Sequence, residues 1–173
     1  MRVLSITTVC IWALLLAACG PTFNWRETSI TATSLVAMFP CKPKTAARVV
    51  ALGGTDVELH MTGCDAAGVT VAVGHATISE PNLRGPVLAQ WRAATLAGMH
   101  ANTPSISPLQ LARANDLPQS VMVKALGMTP GGRALDLQGA WFARDSEVFV
   151  ALLYGEVLSA DVAETFFSGL KFR

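Results

Sequence analysis

The sequence predicts an α+β domain, a mainly antiparallel β-sheet packed with two or three helices, and three observations predict it. Several short segments alternate apolar and polar residues between turn signals, the period of half-buried strands. Two other segments repeat apolar residues at helical spacing behind favourable first residues. The strand-like segments follow one another through turns too short for parallel crossovers, so neighbours should pair antiparallel.

Trp25 to Thr31 and Ser34 to Phe39 read as the first two strands, the second stopped by Pro40 and Pro43. Ala46 to Leu52 and Asp56 to Cys64 flank Gly53-Gly54, a pair that accepts the positive φ angles of a tight hairpin. In the latter, Val57, Leu59 and Met61 alternate with Asp56, Glu58, His60 and Thr62, one face buried and one wetter. Val69 to Ile78 follows a turn at Asp65 to Gly68 and completes a meander. A helix opening at Pro86 carries Val87, Leu88, Trp91, Ala94 and Thr95 before Gly98. Met99 to Gln119, rich in Pro, Ser and Asn, reads as loop around a short helix over Leu109 to Ala114, capped by Ser107 and opened by Pro108. Ser120 to Leu126 is strand-like. After Pro130-Gly131-Gly132, Arg133 to Ala143 and Glu147 to Tyr154 surround an Asp145-Ser146 turn, and Val148 to Leu153, apolar on both faces, should be central. The last helix has Ser159 as cap, Asp161 in its first turn, and Val162, Ala163, Phe166 and Phe167 on one side before Gly169.

Residues 1–18 have the layout of an export signal: one charge at Arg2, an apolar stretch from Val9 to Leu16, and small Ala17 and Ala18 before Cys19. The stretch is short of the about 20 residues a membrane-spanning helix needs. The run Leu16-Ala17-Ala18-Cys19-Gly20 resembles a bacterial lipobox. That resemblance implies cleavage between Ala18 and Cys19 and acylation of Cys19, so that membrane lipid becomes a partner. With each buried methylene contributing about 0.8 kcal/mol, two or three chains anchor stably. Gly20, where an Asp is the usual inner-membrane retention signal, implies the outer membrane. The organisation expected is a signal peptide over 1–18, lipidated Cys19 and a short leash over 19–24, and a single domain over 25–173.

Removing 18 of 173 residues leaves 155, a one-domain length, and removing Arg2 from 13 basic residues leaves 12 against 12 acidic ones. A neutral chain without a basic stripe argues against a nucleic-acid partner. Of four cysteines, Cys10 leaves with the signal and Cys19 is acylated, so Cys41 and Cys64 remain. In an exported protein such a pair is expected to form a disulfide, contributing about 3 kcal/mol by constraining the unfolded chain. The competing reading is a metal site built from both thiolates and His60, which shares a strand face with Cys64.

His60, His75 and His100 sit in separate elements without ligand-like spacing, and each reads as an ordinary histidine. No Gly-x-Ser-x-Gly elbow or Ser-x-x-Lys pair suited to acyl transfer occurs, and Gly53-Gly54 and Gly131-Gly132 lack the spacing of a phosphate-binding loop. Trp25, Trp91, Trp141, Phe39, Phe142 and Phe149 read as core, with a shared pocket as the alternative. No catalytic, metal or cofactor-binding residue is assigned. The Trp25-Arg26-Glu27 strand start, Phe39-Pro40-Cys41-Lys42-Pro43, the Gly53-Gly54 hairpin and Ser168-Gly169-Leu170-Lys171-Phe172 together resemble uncharacterised proteobacterial lipoproteins, which are similar in turn to the PsbP-like α/β/α sandwich. The resemblance implies a non-enzymatic binding or accessory module facing the periplasm, with an envelope protein as partner. The alternative is a small-ligand carrier or envelope hydrolase using an apolar pocket under Met99 to Gln119.

Overall fold

A computed structural model describes residues 22–173. Its described residues form ten strands and two helices: β1 (Arg26–Ser29), β2 (Leu35–Phe39), β3 (Lys44–Leu52), β4 (Thr55–Ala66), β5 (Val69–Thr77), α1 (Pro81–Gly98), β6 (Asn102–Pro108), β7 (Val121–Met128), β8 (Ala134–Arg144), β9 (Glu147–Gly155), α2 (Ala160–Ser168) and β10 (Lys171–Phe172). Seven strands make a large antiparallel sheet in the order β3-β4-β5-β9-β8-β7-β6, and β1-β2-β10 make a small one.

Local chemistry sets the hairpins. Gly53 and Gly54, at φ 68° and 83°, join β3 to β4, and Ala67 and Gly68, at φ 49° and 77°, join β4 to β5. Positive φ at both central residues matches the right-handed twist of the flanking strands. A two-residue loop at Asp145-Ser146 joins β8 to β9. The Ala67-Gly68 turn marks the base of the large sheet and the Gly53-Gly54 turn its top.

Each face of the large sheet is closed differently. On one, α1 lays Val87, Leu88 and Trp91 over Leu59, Ala76, Val123, Trp141 and Val150. Gly74 makes this close approach possible, because a Cβ there would lie 3.1 Å from the Trp91 ring and 2.6 Å from the Met61 sulfur. On the other face, the small sheet and α2 bury Leu35, Phe39, Phe166 and Phe172 against Val71, Val73, Phe142, Phe149 and Leu153. The Ser159 hydroxyl caps α2 by accepting from the Val162 N–H, as its position predicts.

This architecture corrects the expected α+β, PsbP-like α/β/α sandwich. Strands take up half of the described residues, and the layer opposite α1 is a second sheet with one nine-residue helix. Two segments account for much of the difference. Asn102–Pro108, expected as loop running into a helix at Ser107-Pro108, is an edge strand, where proline is tolerated because its missing N–H faces outward. Lys171–Phe172, expected to trail the last helix, pairs with β2 and completes the small sheet. Helix α1 also begins at Pro81, five residues before the expected Pro86, which falls inside it.

Candidate functional site

Strand pairing joins two histidines that sequence spacing separates. The register set by the Ala67-Gly68 turn places His60 on β4 directly opposite His75 on β5, on the face toward the small sheet. Their rings stack, with centroids 4.9 Å apart and 14° between planes. His75 is only 4 % exposed and lies 6.0 Å from the ring of Phe149, its neighbour on β9.

One step further up, β9 presents Glu147 opposite Thr77. Its carboxylate lies 3.2 Å from His75 Nδ1 and accepts the Thr77 hydroxyl at 2.6 Å. An ionised carboxylate only accepts, so His75 donates through Nδ1. The hydrogen bond from His75 holds the Glu147 carboxyl below the ordinary value of 4.5, against partial burial that pushes it up, and Thr77 adds to the lowering. On the more open side, His60 Nε2 lies 3.1 Å from Glu58. Opposite Glu147 on β8 stands Arg144, its guanidinium 4.9 Å from the centre of the Phe172 ring and its Nε bonded to Asp145.

Chemically, this is a carboxylate-oriented imidazole with a second imidazole stacked upon it. Among the described residues no hydroxyl or thiol is hydrogen-bonded to either ring, and no group of three or more His, Cys, Asp and Glu has the geometry to hold a metal ion. His100 stands apart. At φ 46° it follows α1 and donates its backbone N–H to the Ala97 carbonyl, the geometry of a helix stop.

Cys41 and Cys64 form a disulfide with a Cα separation of 6.1 Å, so both sulfurs are committed and the metal reading with His60 is displaced. The bridge ties the end of β2 to β4 near the base. Ala18 and Cys19 lie outside the described residues. The six aromatic candidates fall on opposite sides of the large sheet: Trp91 and Trp141 under α1, and Phe39, Phe142 and Phe149 under the small sheet with Trp25 packed against them. They share no pocket. The segment after Met99 does bound a groove of about 770 Å³, lined among others by Ser107, Leu111, Asn115, Asp116 and Ser120, with no histidine in its wall.

The signal for the histidine pair was present in the sequence, since a two-residue turn at Ala67-Gly68 fixes every partner across that hairpin. Glu147 carried no such signal, because the pairing of β5 with β9 spans 70 residues between Thr77 and Glu147. Compared with known proteins, the chain matches no family model and no curated protein.

Proposed function

We propose that the chain is a lipid-anchored protein of the bacterial outer membrane, held through an acylated Cys19, whose domain serves as a non-enzymatic binding or accessory module for envelope proteins. The observation that carries this reading is the run Leu16-Ala17-Ala18-Cys19-Gly20, which resembles a lipobox and lies a few residues before β1. Two structural features support it. The Cys41–Cys64 disulfide suits an oxidising compartment. Strand β3 borders the large sheet with one side unpaired among the described residues, nine residues long and mostly exposed, the kind of edge a partner strand can extend. The opposite border, β6, is blunted by Pro104, Pro108 and an irregular register. Metabolic labelling with a fatty acid tests the anchor: the wild type incorporates label and Cys19→Ser does not. Label persisting in Cys19→Ser overturns the reading.

The groove lined by Ser107, Leu111 and Asp116 favours a second reading, a carrier of small apolar ligands. Native mass spectrometry of protein purified from the envelope separates the two, since a carrier retains a small molecule and an accessory module does not.

A further inference from the structure

We infer that the base of the domain seats directly on the lipid headgroups, holding the histidine–glutamate end away from the bilayer. This rests on the acylation of Cys19 and goes beyond it by assigning a lipid surface as the partner of one pole.

The geometry starts from the leash. Asn24 is fixed to the fold by its backbone N–H, which donates to the Pro40 carbonyl at 2.9 Å beside the disulfide to β4. Five residues from Cys19 to Asn24 reach at most about 17 Å when fully extended. The nine-residue β5, which runs from base to top, spans about 30 Å. With the top on the bilayer, Asn24 would lie beyond that reach; with the base on it, the leash fits with slack.

The surface at the base suits such a seat. Five large apolar side chains are exposed among the described residues, and three of them, Leu126, Met128 and Val157, lie at this end. Val157 is 78 % exposed and Leu126 66 %, and Leu158, next to Val157, lines one groove with Leu126. Trp25, half-buried and 5.9 Å from Phe23, stands where the leash joins the domain, the level at which an amphipathic indole rests in a headgroup layer.

The test uses the full acylated protein in vesicles of phosphatidylethanolamine and phosphatidylglycerol that contain brominated acyl chains. A bimane fluorophore is placed at Val157→Cys or, as a control, at Thr55→Cys in the top turn; both sites are exposed and the native cysteines are bonded. Quenching several-fold stronger at residue 157 than at 55, abolished by Leu126→Glu with Met128→Glu while the acyl mass on Cys19 is retained, is the expected result. Equal quenching at both sites with the acyl mass present overturns the seat and leaves the anchor standing. A protein that lacks the acyl mass and stays off the vesicles overturns the anchor and the seat together.

Discussion

The two ends of the large sheet are held by different means. At the base, Cys41–Cys64 joins the layers covalently. At the top, Glu147 of β9 bonds His75 and Thr77 of β5 within the large sheet, beside Phe149 and Phe172. The covalent end is indifferent to pH and vulnerable to reductant, and the ionisable end is the reverse. The redox-sensitive bond therefore sits at the base, and a carboxylate held in its charged form by a histidine sits at the top.

The largest effect should come from the aromatic rings beside the ionisable end. Phe149→Ala removes a fully enclosed ring that stacks on Phe142 at 5.2 Å and meets Phe172 edge-on, and should cost about 3 to 5 kcal/mol in denaturant unfolding. Opening the covalent end comes next. Cys41→Ser with Cys64→Ser should cost about 3 kcal/mol, given the sequence separation of 23, and a reductant should lower the Tm of the wild type but not of that variant. Equal sensitivity of both proteins to reductant would break the contrast.

Acid should act at the other end. Because Glu147 ionises more readily in the folded chain than in the unfolded one, its charge contributes stability in full above the ordinary value of 4.5, and that contribution is lost as pH falls through the lowered value. Glu147→Gln should therefore cost about 1 kcal/mol at neutral pH and flatten the acid limb of stability against pH. Smallest of all, His60→Ala removes a ring from the exposed side of the stack and should stay within about 0.5 kcal/mol. If His60→Ala matched Phe149→Ala in cost, the outer ring and not the buried aromatic rings would be holding that end.

These differences trace which parts of the molecule were legible in the sequence. Gly53-Gly54, the turn before Val69 and Asp145-Ser146 marked three hairpins because tight turns have a residue chemistry of their own. Ser159 marked the start of α2 for the same reason. Strand β6 was hidden, since Pro104 and Pro108 read as breakers unless the strand is known to lie at an edge. Pro86 misplaced the start of α1, because Pro81 satisfies the same preference for a first helical residue. Half of the candidate site followed from a local turn: His60 and His75 face each other across one hairpin. The other half, Glu147 and Arg144, depended on which distant strand lies beside β5, and no local pattern encodes that choice.

The most direct test of the anchored reading is the mass of the amino-terminal peptide of the protein extracted from the envelope. A peptide that begins at Cys19 and carries diacylglycerol on sulfur with a fatty acyl group on its amine is the predicted result. A chain that still begins at Met1, or a bare Cys19, would contradict it.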